Sequence, residues 1–417
     1  MNNKKKFFLK INKNWESFDK ILLGIPLFLV FISGILIAST QRQANYADWY
    51  QHWLTALVGL IITIQIASLP LERLRPFLIT LYSLNIVSLI AVKIIGTSAL
   101  GAQRWLTLGG ISFQPSEFAK LAVILSLASV LDNSKPEKLL DLLKPIFVIF
   151  SPWLLVFIQP DLGTSLVFGA ILLTMLFWAG MPLEWVLLAI SSVVTAILCG
   201  VLPWSLLIWI PLMGSLAFRS FSNKYLAASL TIIWQGVIAW ITPWLWINVL
   251  KDYQRDRLVL FLDPSKDPLG GGYHLLQSTI GIGSGGWIGS GLFNGQLTKL
   301  RFIPEQHTDF IFSALGEETG FLGSLIVLLL YSILIIRLLK IAKKAHTNFE
   351  SLIVIGITSM LFFQILVNIF MTIGLGPVTG IPLPFMSYGR TALIVNFISI
   401  GLCISVDRRA CNLSKRW

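Results

Sequence analysis

Long apolar runs recur through the whole sequence, and they constrain the fold more than any other feature. One of them, ILLGIPLFLVFISGILIAST at residues 21–40, contains no charged residue. Because the hydrocarbon core of a bilayer is about 30 Å thick, a helix needs about 20 apolar residues to span it. The runs are continuous rather than alternating, which indicates helices and not the strands of a barrel. The sequence therefore predicts an all-α, polytopic membrane-spanning bundle.

The ends of the apolar runs predict twelve membrane crossings. They lie at 21–40, 53–69, 77–96, 117–132, 144–159, 163–180, 184–202, 204–218, 226–250, 309–340, 351–372 and 389–406. Pro211 and Pro243 interrupt two of these spans, for which a re-entrant or kinked segment is the alternative. Losing that pair would leave an even number of crossings. No repeat of 20–50 residues and no polar linker divides the chain, so we expect one membrane-embedded domain at 21–406.

The net charge of +12 is concentrated at the two ends of the chain and in short loops. The basic residues that flank the first and last runs are Lys4, Lys5, Lys6, Lys10, Lys13, Lys20, Arg408, Arg409, Lys415 and Arg416. Under the positive-inside rule, the tails at 1–20 and 407–417 are then cytoplasmic. This distribution orients a membrane protein, and we expect no nucleic-acid partner. The same topology puts the segments 97–116, 251–308 and 373–388 on the outer side.

Polar side chains gather in these outer segments and in the turn QPDLGTS. Arg104 and Trp105 lie in an interfacial segment, while Glu117 and Lys120, three residues apart, share a helix face on which they can pair. The alternative for that pair is purely structural, with Ser116 as the helix N-cap. Asp161 likewise has two interpretations, a site residue or the N-cap of the helix that starts at Gly163.

Two longer outer segments combine glycines with amphipathic or broken backbone. In the exterior loop 251–308, the glycines permit close backbone approaches, but no P-loop or dinucleotide-binding context surrounds them. YHLLQSTIGI is expected to lie on the membrane surface, where Arg255, Arg257 and Lys266 can meet anionic lipid headgroups. GPVTGIPLPFMSYGR, at 376–390, is rich in Gly and Pro, which favours a re-entrant or cavity-lining segment.

Asp309 is the most informative acidic residue, because it opens a long apolar run with no Lys or Arg beside it in sequence. A carboxylate inside the bilayer costs at least about 2.5 kcal/mol, so an acid in that position is functional by default. Capping of the helix by Thr308 or Asp309 is the alternative. Glu305 and His307 crowd the same entry and are expected to shape the loop and contact substrate.

Taken together, these motifs resemble the SEDS family (shape, elongation, division and sporulation), over about residues 20–406. The residues that carry the resemblance are RWLTLGG, QPSEFAK, QPDLGTS, YQRDRLVLFLDPSKDPLGGGYHLLQS, GSGG, FIPEQHTDFIFSALGEETGF and GPVTGIPLPFMSYG. The form FLDPSKDPLG favours the elongation type over the division-type paralogue. Two departures from the family are visible. An extra helix pair at 204–250 precedes the exterior loop of a ten-helix core, and Arg390 stands where a Gly is usual, to contact phosphate or only to snorkel.

The resemblance implies a peptidoglycan glycosyltransferase that polymerises lipid II on the outer face of the cytoplasmic membrane, for cell elongation and rod shape. It implies that Asp309 is the essential acid. The cavity-lining residues it implies are Arg104, Trp105, Glu117, Lys120 and Asp161. A divalent cation, Mg2+ or Mn2+, is implied as cofactor. A class B penicillin-binding protein and other membrane proteins of the elongation machinery are implied as partners.

The chemistry of such a site leaves two roles open for Asp309. A carboxylate at an apolar boundary has a raised pKa and suits a base for the acceptor hydroxyl, while Arg104 and Lys120 are candidates to stabilise the departing diphosphate. Alternatively, Asp309 and Asp161 hold a metal ion. Two rival functions also fit a polytopic protein with membrane acids, namely a flippase or transporter of lipid-linked precursors and a non-catalytic scaffold. The outer position of the polar motifs and the lack of an internal repeat favour the enzyme.

Overall fold

Helices make up nearly all of the structure, a computed structural model that describes residues 19–41, 48–99, 102–108, 111–249, 252–263, 271–303 and 305–414. The helices are α1 Lys20–Thr40, α2 Asp48–Ile66, α3 Leu78–Ile95, α4 Pro115–Asn133, α5 Leu143–Ile158, α6 Leu162–Trp178, α7 Leu183–Val201, α8 Leu206–Ser220, α9 Lys224–Asn248, α10 Asp252–Leu262, α11 Gly271–Ser284, α12 Gln296–Leu300, α13 Ile311–Lys344, α14 Asn348–Thr372 and α15 Arg390–Ser414. The lysines at 4–13, Lys266, Lys415 and Arg416 lie outside the described residues. The predicted helical bundle is confirmed.

Each of the twelve predicted crossings corresponds to one helix of the bundle. Within the part of the chain that the structure describes, eight helical spans are long and apolar enough to cross a bilayer. A further apolar helix, α6, is shorter, with 17 residues. The protein is therefore a multi-pass membrane protein, and the number of twelve crossings stays a prediction.

The predicted extra helices, α8 and α9, pack against α7 and against each other. Neither helix is broken at its proline, since α8 continues past Pro211 and α9 past Pro243. A single buried side chain in α9, Gln235, donates from Nε2 to Ser191 Oγ of α7 at 2.6 Å. These three helices thus form a unit that contains an internal polar contact, and the other side chains of α9 are half-buried or exposed.

The centre of the bundle is α14, which packs against α4, α6 and α13. Its Gly356 allows close contact, because a Cβ at that position would lie 2.7 Å from Ile124 and 2.8 Å from the Met175 sulfur. Small residues at such crossings let membrane helices approach closely. This packing brings together the outer ends of α4, α6 and α14.

The outer segment 97–116 contains a small sheet, which the all-α prediction missed. Strands β1 (Thr97–Ala99), β2 (Ala102–Leu108) and β3 (Ile111–Phe113) pair antiparallel in that order. Thr97 is opposite Trp105, and Leu106 is opposite Phe113. The sheet satisfies the backbone polar groups of this interfacial segment and fixes Arg104 on β2.

The exterior loop is anchored to the bundle along α11 and the turn that follows it. Ser278 of α11 is fully buried, and its Oγ donates to Thr372 O at 2.7 Å. The carbonyl oxygen of Ser278 accepts from Ser313 Oγ at 2.8 Å. The expectation that YHLLQSTIGI lies on the membrane surface is therefore wrong for this helix, since its polar face packs between α13 and α14.

Helix α13 is interrupted at Gly320, whose φ of 66° and ψ of −163° are not helical. The glycine-rich turn that follows α11 packs against this interruption. Ser290 N donates to Glu317 O at 3.0 Å, and a Cβ at Gly289 would lie 2.2 Å from Glu318 O. Only glycine permits this approach and the positive φ values of both glycines, as predicted for the loop's glycines.

Candidate active site

Asp309 lies in a tight turn immediately before α13, and Glu305 shapes that turn. The backbone N–H groups of Thr308 and Asp309 both donate to Glu305 O, each at 3.1 Å. Glu305 adopts a φ of 50°, and its carboxylate accepts from Thr308 Oγ1 at 3.1 Å. The predicted loop-shaping role of Glu305 is thereby confirmed, while substrate contact stays a prediction.

The side chain of Asp309 does not cap α13. The N-cap of this helix is Phe310, which makes no side-chain capping bond. The capping alternative is therefore wrong. Instead, Asn368 of α14 fixes the turn, since its Nδ2 donates to Asp309 O at 2.9 Å and to Ile381 O at 2.8 Å. One buried amide thus holds the acidic turn beside the segment 376–389.

The carboxylate of Asp309 faces Gly380 and two arginines. A Cβ at Gly380 would lie 3.3 Å from Asp309 Oδ2 and 3.7 Å from Arg257 Nη1. Burial raises the pKa of Asp309 to about 6. The positive charges of Arg257 and Arg104 lower this pKa, whereas the negative charges of Glu305 and Asp161 raise it. Near neutral pH this group is poised to take up a proton.

Asp161 both caps α6 and interacts with Arg104. Its Oδ1 accepts from Thr164 N at 3.2 Å, as the capping interpretation predicts. Arg104 Nη1 lies 3.9 Å from the same oxygen, and Nη2 of this arginine donates to Pro160 O. The Arg104 Nε is buried without a hydrogen-bond partner among the described residues. The strand β2 therefore places a guanidinium at the outer end of α6.

The ends of α4 and α6 and the segment 376–389 converge on this region. Gln114 Nε2 donates to Asp161 Oδ2 at 3.5 Å, and its backbone N donates to Thr391 Oγ1 at 3.3 Å. A Cβ at Gly163 would lie 2.9 Å from Thr379 O. The predicted cavity-lining role of 376–390 agrees with its non-helical backbone, which is buried at 383–387.

Glu117 and Lys120 form a closed pair inside the bundle. Lys120 Nζ donates to both carboxylate oxygens of Glu117 at 2.7 Å, and the residues are 1% and 3% exposed, respectively. The pairing prediction is confirmed. Both charged groups are paired and buried, and contact of either side chain with substrate stays a prediction. Ser116 is not the N-cap, which is Gln114.

Tyr388 links the acidic turn to the helices that surround it. Its N–H donates to His307 O at 2.9 Å, and the two rings pack with centroids 5.9 Å apart. Burial lowers the pKa of His307, while Glu305 and Asp48 raise it. Tyr388 OH donates to Gln51 Oε1 at 3.1 Å and accepts from Arg390 Nε at 3.3 Å. Arg390 is thus held at the start of α15, beside the turn.

Sequence reasoning named Arg104, Asp161, Asp309, Glu305 and His307 as site residues, and their position at the outer face stays a prediction. The structure brings Asp309 close enough to Arg104, Asp161 and Glu305 for their charges to act on it. Sequence reasoning missed the roles of three other residues. Asn368 and Gly380 carry no charge, and their roles depend on partners remote in sequence. Arg257 was assigned to lipid headgroups, although its helix α10 places it at Asp309. Trp105 lies half-buried on β2, next to Arg104.

Asp309 and Asp161 are the predicted metal ligands. Their surroundings suit a metal ion that also binds substrate better than one held by protein ligands alone. No group of three His, Cys, Asp or Glu side chains among the described residues could hold a metal ion. Asp161 already accepts from Thr164. Mg2+ commonly binds one or two carboxylates together with substrate phosphates. The donor set therefore fits a cation shared with a bound diphosphate.

The sequence profile of the FtsW/RodA/SpoVE family, described as "Cell cycle protein", matches residues 18–208 and 205–412. The chain belongs to this family. The peptidoglycan glycosyltransferase MrdB of Escherichia coli is 37% identical, covering 99% of this chain and 98% of the relative. The peptidoglycan glycosyltransferase RodA of Treponema pallidum is 33% identical over 94% of this chain and 98% of the relative. A probable FtsW of Haemophilus influenzae is 31% identical over 96% and 95%.

Two solved structures share the fold. One, described as "Structural coordination of polymerization and crosslinking by a peptidoglycan synthase complex", has a TM-score of 0.71 and 30% identity, covering 94% of this chain and 98% of its own. The rod-shape-determining protein RodA of Thermus thermophilus has a TM-score of 0.63 and 25% identity, covering 95% and 98%. The family expected from the motifs is confirmed.

Proposed function

We propose that this chain is an elongation-type peptidoglycan glycosyltransferase that polymerises lipid II into β-1,4 glycan strands for cell elongation and rod shape. The names of the MrdB and RodA relatives support this activity. The observation that carries it is the carboxylate of Asp309, which caps no helix and whose pKa burial raises to about 6. Such a group suits removal of a proton from an acceptor hydroxyl.

The proposed reaction is one inverting displacement. The acceptor 4-hydroxyl oxygen bonds to the anomeric carbon of the donor sugar, and Asp309 takes the hydroxyl proton. The bond from that carbon to the diphosphate breaks, and its electron pair leaves with the lipid diphosphate. Arg104 stabilises the charge that develops there, since guanidinium groups bind phosphate through directed hydrogen bonds. An α-linked donor thus gives a β-linked product without a covalent enzyme intermediate.

We further propose that a divalent cation, Mg2+ or Mn2+, binds Asp309 together with the substrate diphosphate, with Asp161 as a possible second ligand. When bound, such a cation would neutralise part of the diphosphate charge. In that case Asp309 is a ligand and not the base. Assays of the purified enzyme with and without each metal ion separate the two roles.

The remaining parts of the proposal concern orientation and partners. Both termini are cytoplasmic, and Asp309 faces the outer side of the cytoplasmic membrane, which basic loops on the opposite side support. A class B penicillin-binding protein is the proposed partner, with other membrane proteins of the elongation machinery. The support is the solved neighbour, which belongs to a complex that couples polymerization with crosslinking.

The test is polymerisation of labelled lipid II by the purified full chain, in the presence of the partner transpeptidase. Asp309→Asn is expected to abolish glycan strands. It is not expected to lower the melting temperature, because burial already disfavours the ionised carboxylate. Asp256→Asn, which changes an exposed carboxylate on α10, is the matched control and is expected to keep activity.

This assay and its extensions distinguish the polymerase from the two rival functions, a flippase and a scaffold. Glycan strands of normal length made by Asp309→Asn would overturn the role of that residue. A wild-type enzyme that makes no strands but moves labelled lipid II across vesicle membranes would be a flippase. A wild-type protein that does neither, yet restores synthesis by a separate polymerase, would be a scaffold.

A further inference from the structure

A diphosphate needs more positive charge than the side chains so far assigned can supply. A lipid diphosphate sugar carries two negative charges and gains a third when the sugar departs. Lys120, the sequence candidate for this charge, is enclosed with Glu117. Arg104 alone is shared with Asp161 and Pro160. Besides Arg104 and the divalent cation proposed above, a second cationic side chain close to Asp309 would therefore strengthen binding of the donor diphosphate.

Arg257 lies where that cation is needed. Its Nη1 and the Asp309 Oδ2 border the same point above Gly380, at 3.7 Å and 3.3 Å. Of all the charges that act on Asp309, Arg257 has the largest effect, ahead of Glu305, Arg104 and Asp161. The Arg257 charge also lowers the pKa of His274 on α11, after the larger effect of burial. This half-buried guanidinium therefore lies near both α11 and the acidic turn.

Gly380 lies directly beside the two charged groups. It adopts a φ of 73°, which only glycine adopts without strain, and a Cβ at this position would contact both groups. The His274 ring stacks on Phe310 with centroids 6.2 Å apart, which holds α11 against the acidic turn. Glycine at position 380 therefore lets the segment 376–389 approach Arg257 and Asp309 closely.

We propose that Arg257 is a substrate-binding residue that, together with Arg104, binds the diphosphate of the lipid-linked donor. This inference rests on the proposed function. Arg257 binds through the planar fork that matches phosphate oxygens in pairs, so lysine replaces it only in part. The two arginines hold the leaving group, while the acceptor hydroxyl that Asp309 serves approaches the anomeric carbon from the opposite face of the sugar.

Binding of farnesyl diphosphate to the purified full chain in detergent tests the proposal apart from catalysis. Arg257→Gln is expected to weaken binding by about tenfold or more, the loss of a charge-assisted hydrogen bond, and Arg257→Lys to recover part of it. Inorganic diphosphate is the second probe. Weaker binding of both probes by Arg257→Gln than by the wild type supports the site. Tighter binding of farnesyl diphosphate than of inorganic diphosphate by the wild type indicates a lipid-linked ligand, and the reverse indicates a soluble one.

The matched control is Lys299→Gln, which removes one positive charge from an exposed residue of the same exterior loop. It is expected to bind both probes like the wild type. Equal binding by Arg257→Gln and the wild type, or an equal loss in Lys299→Gln, would overturn the proposal. So would a wild-type protein that binds neither probe.

A second variant keeps the test independent of α10. Gly380→Ala places a methyl group between Arg257 and Asp309 and is expected to weaken farnesyl diphosphate binding while the protein still purifies as a folded species. Lipid II polymerisation is measured on the same samples. If the wild type fails to polymerise but binds diphosphate through Arg257, the proposed function fails and this site stands. The reverse pattern overturns the site alone.

Discussion

At the scale of single residues, the environment decides which charges are available for chemistry. Arg104 and Lys120 are both basic residues, on β2 and α4 respectively, and the sequence suggests the same role for both. The structure encloses Lys120 with Glu117, whereas Arg104 remains 23% exposed beside Asp161. A buried, paired charge contributes to structure and is costly to separate. The partly exposed Arg104 is therefore the better candidate for substrate binding, whereas Lys120 is paired within α4.

The pH dependence of the reaction follows from Asp309. Burial raises its pKa to about 6, and in the proposed mechanism the ionised form is the base. As the pH falls through this value the carboxylate becomes protonated, so kcat/KM for lipid II is expected to fall about tenfold for each unit below pH 6. The measurement is a rate profile between pH 4.5 and 8 with the wild type.

Asp256→Asn provides the comparison for this profile, and it should show the same acidic limb. A rate that stays flat down to about pH 4.5 would contradict the assignment of Asp309 as the base. A limb displaced to lower pH only when Mg2+ is present would instead favour the metal-ligand role, because a bound cation stabilises the carboxylate charge.

At the scale of elements, the break in α13 is what ties the exterior loop to the bundle. Glu317 precedes the break and accepts at its carboxylate from Leu297 N and Thr298 N, each at 2.8 Å, and from Thr298 Oγ1 at 2.6 Å. Those donors belong to the first turn of α12. An acid deep in an apolar helix thus satisfies the N-terminus of a helix in the loop.

Replacement of Glu317 is expected to destabilise the protein. Glu317→Ala leaves three buried donors without an acceptor, and we expect a loss of about 2–4 kcal/mol in the free energy of unfolding. Glu317→Gln, which keeps one acceptor oxygen, should lose less. Reversible unfolding in mixed detergent micelles, followed by tryptophan fluorescence, measures the difference.

Glu184→Ala is the control for this prediction, since Glu184 is exposed in the first turn of α7. It should change the free energy of unfolding by less than about 1 kcal/mol. An equal effect of Glu184→Ala and Glu317→Ala would show that the hydrogen bonds to α12 are unimportant for stability.

For the whole molecule, the proposed topology makes a testable prediction about the two sides of the membrane. Twelve crossings with cytoplasmic termini would put Asn223, between α8 and α9, on the inside and Lys299 on the outside. In a chain whose Cys199, Cys403 and Cys411 are replaced by Ser, Lys299→Cys should react with a membrane-impermeant thiol reagent in intact cells, and Asn223→Cys only after permeabilisation.

Labelling of Asn223→Cys in intact cells would contradict the insertion of α8 and α9 as a spanning pair. Because both positions are exposed in the structure, a failure to react reports the membrane barrier and not burial. The same two variants purified in detergent should react equally, which controls for intrinsic reactivity.

The helical bundle could be predicted from the sequence alone, and so could Asp309 as the candidate acid. Apolar runs of membrane length leave helices as the favoured solution, because every backbone polar group in lipid must be paired within its own segment. The outer position of Asp309 followed from loop charge. The small sheet was missed, since its short strands have no strong pattern in the sequence.

Which residues lie beside Asp309 depends on tertiary packing and could not be predicted from the sequence. Arg257 lies 52 positions before it in the sequence and Asn368 lies 59 after it, and nothing in either segment indicates the contact. The same holds for Lys120, whose enclosure depends on the packing of α4 within the bundle. Local sequence patterns predict helices. The position of a charged side chain, and whether it is paired or buried, depend on the packing of segments remote in sequence.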